Sequence, residues 1–268
     1  MAARRRPRRR RSRGGVTIVI GAGLIVAALA AFGGIGWAVW RASGAPAIDA
    51  ASLCPEDGPV GHLAILLDTT DPVARAQLDA ARARVERLIA DAPDFTRVSF
   101  ATVSPERGVR EASFTSLCKP PRDASALTGN PRLVAARYRE AFLDPIAAHL
   151  DALLAIPTAD SSPIIEALAE FLAAIPGFAT TEGFREVVLV SDLVQHSDVL
   201  SFYRGGDWQS FASGGGVARL SGALDGADVR ILRLPRPEAP AEVVDDFWVR
   251  YLDAQGAASV RTDVLGDL

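Results

Sequence analysis

A run of 25 residues without a single charge, Val16 to Trp40 (VTIVIGAGLIVAALAAFGGIGWAVW), divides this chain before any finer pattern is read. At about 1.5 Å of rise per residue, a helix of that length exceeds a hydrocarbon core of roughly 30 Å, so the run predicts one tilted transmembrane helix over 16–40. Eight arginines precede it and only Arg41 follows closely. By the positive-inside rule that asymmetry places the Arg-rich segment 1–15 in the cytoplasm and everything after the helix outside. The expected localisation is the cell (inner) membrane, single-pass, with a periplasmic or extracellular C-terminal domain. A cleaved signal peptide is the alternative, with the small residues 42–47 offered to a peptidase. Its apolar core would normally be only about 7 to 15 residues long.

The charge balance points the same way. Residues 1–41 hold nine arginines and no acid, which leaves 20 bases against 32 acids in the remainder, a balance of −12. Counterion release needs a basic surface, so nucleic acid is excluded as a partner of the folded part, and the bilayer is the partner of residues 16–40. An exported chain with two cysteines, Cys54 and Cys118, can form one intramolecular bridge. Two buried free thiols are the alternative. A catalytic thiol lacks a neighbouring Cys/His pair.

Residues 41–60, rich in Ala, Pro, Gly and Asp, read as a linker, and 61–268 as one outer domain. HLAILLD (62–68) is a continuous apolar run ending in acid, as expected of a parallel strand buried on both faces. Asp71 and Pro72 are suited to cap and open a helix through Leu88. TRVSFATV (96–103) and REASFTSLC (110–118) read as two strands joined by so short a turn that they should be antiparallel. A helix is expected from Asn130–Pro131, broken or kinked by Pro145, and another from Ser162–Pro163 to Ile175. REVVLVSD (185–192) repeats the strand-ending-in-Asp pattern. A helix near 217–224, a strand over 228–234, a helix over 241–254 and a weak edge strand in SVRTDVL complete the pattern. The alternation predicts an α/β fold: an open, mostly parallel sheet with helices on both faces.

In such sheets the functional crevice lies outside the carboxyl ends of the strands. Asp68 and Asp192 end two of them, Thr69, Thr70 and Asp71 follow the first, and Ser161 and Ser162 stand before a helix. Their oxygens are suitable hard ligands for Mg²⁺ or Mn²⁺. Over about residues 61–257 the chain resembles a von Willebrand factor A (vWA) domain, in its order of elements and antiparallel third strand. That family's metal-ion-dependent adhesion site is Asp-x-Ser-x-Ser, a Thr in a later loop, and an Asp after the fourth strand. Here Asp68 matches, Thr70 replaces the first Ser, Pro72 removes the second, Ser161 or Ser162 falls at the Thr, and Asp192 matches the last element. The resemblance implies a membrane-anchored protein-binding, adhesion or adaptor module. Its metal residues would be Asp68, Thr70, Ser161, Ser162 and Asp192, and Thr69, Asp71, Gln195 and His196 would meet a protein partner at the strand carboxyl face.

An enzyme is not expected. A phosphatase of the haloacid dehalogenase type would need a second acid where Thr70 stands and a phosphate-binding Lys, and the only Lys, Lys119, adjoins Cys118. Neither a nucleophile elbow nor a phosphate-binding loop occurs. The competing readings are a metal-free scaffold of an envelope complex and a periplasmic hydrolase working through Asp68 and Asp192.

Overall fold

The computed structural model describes residues 14–43, 46–122, 130–219, 224–237 and 239–266, in two compact units, 1–47 and 48–268. The first unit is a 30-residue helix, α1 (Gly14–Ser43). Its described side chains, 23–37, are all exposed, with Leu24, Ile25 and Phe32 among them. Among the described residues no helix is long and apolar enough to cross a membrane. The uncharged run extends beyond the described side chains of α1 at both ends.

The second unit is built on β1 (Gly61–Leu67), β2 (Thr96–Thr102), β3 (Thr115–Cys118), β4 (Phe184–Ser191), β5 (Asp228–Arg233) and β6 (Ser259–Val264), in the spatial order β3-β2-β1-β4-β5-β6. All neighbours are parallel except β2 and β3. Every residue of β1 is buried, and the period-two alternation of a strand divides them between two cores. Ala64 and Leu66 pack with α6 (Ile164–Ala174), α7 (Trp208–Ser213) and α9 (Ala241–Ala254). Leu63, Ile65 and Leu67 pack with α2 (Arg75–Asp91), α4 (Pro131–Tyr138) and α5 (Asp144–Leu154). Helices therefore cover both faces, and the six-strand vWA-like sheet with one antiparallel edge strand stands as expected. On the first face Phe211, Phe247, Trp248 and Tyr251 form an aromatic cluster with ring centroids 5.2 to 5.9 Å apart, mostly edge to face.

Some local expectations are corrected. The helix after β1 begins at Arg75 and not at Asp71, because Asp71 is drawn away into an ion pair with Arg236. The Gln77 side chain accepts the Ala74 N–H at 3.1 Å in its place. Residues 110–113, expected to begin the third strand, belong instead to a helical turn, α3 (Arg107–Ser113). An Arg107–Glu111 pair one turn apart supports it, and Ser113 Oγ accepts the Thr102 N–H at 3.0 Å, pinning α3 to the end of β2. Pro145 does not break its helix. A π turn over Arg139–Leu143, just before the proline, takes up the disturbance between α4 and α5. Of the helix expected near 217–224, α8 (Gly216–Arg219) is present and 220–223 lie outside the described residues.

Cys54 and Cys118 are joined by a disulfide. The Ser52 carbonyl accepts the Cys118 N–H at 2.8 Å, so residues just before the first strand are fastened to β3 both covalently and by a backbone hydrogen bond. Lys119, next in sequence, is buried because its ammonium donates to the Ala90 carbonyl at 2.8 Å and also to that of Ala92, at the negative end of α2.

Candidate functional site at the carboxyl edge of the sheet

Successive connections leave the centre of the sheet in opposite directions, from β1 toward β2 and from β4 toward β5, so the carboxyl ends of β1 and β4 flank the switch in strand order. Asp68 and Asp192 follow directly from those two ends. Parallel pairing fixes the first of them, since the Asp68 N–H donates to the Val190 carbonyl at 2.8 Å, which sets its side chain beside Ser191.

Asp68 is 5% exposed, and both its oxygens are engaged. Oδ1 accepts from Thr70 Oγ (2.6 Å) and from the Thr70 N–H (3.2 Å). Oδ2 accepts from Ser191 Oγ (2.7 Å) and Ser162 Oγ (3.2 Å). Burial pushes its pKa above the ordinary carboxylate value, and these donors oppose the shift. Asp68, Thr70 and Ser162 are therefore direct neighbours. Ser162 is held there by paired backbone bonds with His196, 2.8 and 2.9 Å. Ser161 points elsewhere, into an adjoining groove.

Asp192 lies next to this cluster at 8% exposure. Its Oδ1 accepts the Val194 N–H at 2.8 Å, and its Oδ2 accepts from Arg236 at 3.2 Å. Burial raises its pKa to about 6, the nearby Asp68 and Asp71 charges add to the rise, and the Val194 N–H and Arg236 counter it. Arg236 also pairs with Asp71, so one guanidinium joins two carboxylates. Burial works against the charge on Arg236, and its hydrogen bonds to Asp71 and Asp192 outweigh that and raise its pKa. Gln77 of α2 donates to the Pro235 carbonyl at 3.4 Å, tying the loop that carries Arg236. Asp68, Asp71, Asp192, Pro72 and Arg236 border a cavity of about 30 Å³.

The backbone between Asp192 and Val194 is strained. Leu193 has φ of +68°, a conformation uncommon for a branched side chain, and it is over-determined by its neighbours. Its N–H donates to Ser191 Oγ at 2.8 Å and its carbonyl accepts from the Trp248 indole at 2.8 Å. That bend is what turns Val194 N–H onto Asp192.

The remaining residues separate by exposure. Gln195 is wholly buried and does not face a partner: its amide oxygen accepts the Ile165 N–H at the start of α6 and its nitrogen donates to Glu166 and Ser197. Thr69 and Thr70 are buried too. Asp71 and His196 are partly exposed. His196 shares a hydrogen bond of 2.7 Å with Ser201 and meets the ring of Tyr203 edge-on at 5.3 Å. Tyr203 is 52% exposed. Beside it runs a polar groove of about 350 Å³ whose walls include Arg110, Ser161, Glu166, His196 and Arg204.

Sequence reasoning missed Ser191, Arg236 and the Trp248 anchor. Ser191 stood in plain view as the last strand residue before Asp192. A basic residue between two prolines just past the end of the next strand, Pro235-Arg236-Pro237, was the available signal for Arg236.

Among the described residues no group of three or more His, Cys, Asp or Glu side chains is arranged to hold a metal ion. No protein-family model matches the chain, and no curated protein matches it. Among solved structures it is similar to an aerotolerance-related membrane protein from Bacteroides fragilis, solved with multiple mutations to serines. The TM-score is 0.35 at 13% identity, over 75% of this chain and 91% of that one. It is also similar to the VWA domain of SpRpn10, with a TM-score of 0.41 at 12% identity over 78% of this chain and 90% of that one. At those values neither likeness adds to what the sheet itself carries. The strand order and the antiparallel edge strand give the described residues of 61–266 a vWA-like α/β fold.

Proposed function

We propose that this chain is a membrane-anchored, extracytoplasmic protein-binding module of adhesion or adaptor type. The N-terminal helix would span the bilayer with residues 1–15 in the cytoplasm, and the partner would dock at the carboxyl edge of the sheet. The observation that carries the reading is Tyr203, an exposed aromatic ring held in place by His196 at the rim of the polar groove. Rigid, half-exposed aromatics bordered by polar groups are what binding surfaces use as anchors. A hydrolytic role for Asp68 and Asp192 is disfavoured by the same geometry, because Asp68 has no oxygen left to attack or to activate water.

A photo-crosslinking residue placed at Tyr203 or Ser161 in membranes should trap one protein partner, while the same residue at Glu182, on the opposite edge of the sheet, should not. Equal trapping at all three positions, or turnover of a substrate dependent on Asp68, would overturn the reading. Protease added from outside should reach the domain in intact cells or spheroplasts. Access only after lysis would reverse the orientation.

A further inference from the structure

We infer that Arg236 is a built-in cation that closes the strand-end site to divalent metal ions, so that whatever binds at this face does so without a bridging metal. The resemblance implies Mg²⁺ or Mn²⁺ held by Asp68, Thr70, Ser161 or Ser162, and Asp192, and four features of the structure disagree with it.

A carboxylate offers about four lone-pair positions, and Asp68 already receives four hydrogen bonds, two on each oxygen. Binding an ion there directly would displace at least one of them from a buried group. Asp192, the other carboxylate of the set, is in an ion pair with Arg236, which holds Asp71 as well. A divalent ion entering between them would face a fixed positive charge across a short distance, in partly buried surroundings that screen it less than bulk water does. Pro72 supplies no oxygen at the position where the family has a second hydroxyl, so an ion would have to keep more of its own water. The cavity beside Asp68 and Asp192 leaves little room for that water. It measures about 30 Å³, room for about two waters at roughly 10 to 15 Å³ each, whereas Mg²⁺ dehydrates reluctantly and usually keeps several.

The arrangement is built rather than incidental. Arg236 lies between two prolines that restrict its backbone, its loop is tied by Gln77, and the acids it joins come from two different loops of the carboxyl edge. A guanidinium suits the task because it stays charged at any accessible pH and donates along fixed directions to two carboxylates at once.

The test uses the full-length chain in detergent micelles, stripped of metal by a chelator and then titrated with Mn²⁺, free ion being followed by electron paramagnetic resonance. Wild type and Arg236→Lys should show no saturable binding at millimolar Mn²⁺. Arg236→Ala should gain a site at least tenfold tighter than any in wild type, and the added change Asp68→Ala should abolish it. Arg236→Gln, which keeps hydrogen-bonding capacity and removes the charge, should behave as Arg236→Ala and serves as the second variant should the alanine chain fail to fold. Saturable binding by wild type that disappears in Asp68→Ala would overturn the inference. So would an Arg236→Gln chain that is folded and as inert as wild type, because Arg236 would then not be what excludes the ion.

Discussion

His62 should make this domain acid-labile over a defined interval. The residue stands near the start of the central strand, 1% exposed, with Nε2 in a 3.0 Å hydrogen bond to Thr181 and Nδ1 without a hydrogen-bond partner. Phe178 meets its ring edge-on at 5.6 Å. Burial is the larger cause, and the charges of Arg97 and Arg185 the smaller, that push its pKa from 6.5 down to about 4. The unfolded chain takes up this proton near pH 6.5 and the native chain only near pH 4, so between those values the unfolded state binds more protons. Stability from this group is therefore complete above about pH 6.5, is lost as the pH falls toward about 4, and falls no further below that. The interval corresponds to about 3 kcal/mol at 1.36 kcal/mol per pH unit, reduced to about 2 kcal/mol once partial solvent screening is allowed for. Asp192 works in the opposite sense. Its raised pKa of about 6 means that the native carboxyl takes a proton first, so stability is regained as the pH falls through 6 toward its ordinary value of 3.8. The two are separated by comparing wild type with His62→Gln, in which Asp192 is unchanged. Urea unfolding of the full chain in micelles, followed by tryptophan fluorescence, should show the variant gaining about 2 kcal/mol on wild type between pH 7.5 and pH 4.5. A difference that stays constant across that interval, or an NMR titration placing the His62 pKa near 6.5, would refute the argument.

Three further outcomes are expected. Leu66→Ala, at a fully buried position of the central strand, should cost about 3 to 5 kcal/mol in urea unfolding through lost burial and a cavity. Asp192→Asn should cost less than about 1 kcal/mol by the same assay, since losing one contact to Arg236 is offset by relieving the charge of a buried acid beside Asp68; a loss matching Leu66→Ala would make Asp192 a structural residue. Reducing Cys54–Cys118, or replacing both by Ser, should cost about 4 kcal/mol on the chain-entropy model, because the bridge spans 64 positions; a change below about 1 kcal/mol would show that the backbone bond to Ser52 suffices.

What the sequence disclosed follows from how local each determinant is. A strand buried on both faces writes itself as an unbroken apolar run, so HLAILL and VVLVS were legible without partners, and the helix over 241–254 was legible from its spacing. The position of Asp68 and Asp192 at strand ends followed from those runs. The start of α2 was not legible, because a capping preference of about 1 kcal/mol at Asp71 is outbid by an ion pair to Arg236, a residue far along the chain. Residues 107–113 have no strong period, and tertiary contact with β2 decided them. Gln195 read as an exposed polar residue of a loop. Only the folded chain shows that its amide completes the first turn of α6.

The strap at Cys54 has a mechanical consequence. Tension arriving along the chain from its N-terminal side reaches the disulfide before it reaches Gly61, the first residue of β1. Part of the load then passes through a covalent bond into β3 at the margin of the sheet, and the rest continues into the central strand. Peeling the sheet from residue 61 would first require stretching a segment whose two ends are fixed. With the bridge reduced, that load falls on the backbone hydrogen bonds from Cys118 to Ser52 and from Val60 to Phe95, and then on β1. Pulling from the N-terminus should therefore give a high-force rupture in oxidised chains and an early, low-force release of residues 48–60 in reduced ones.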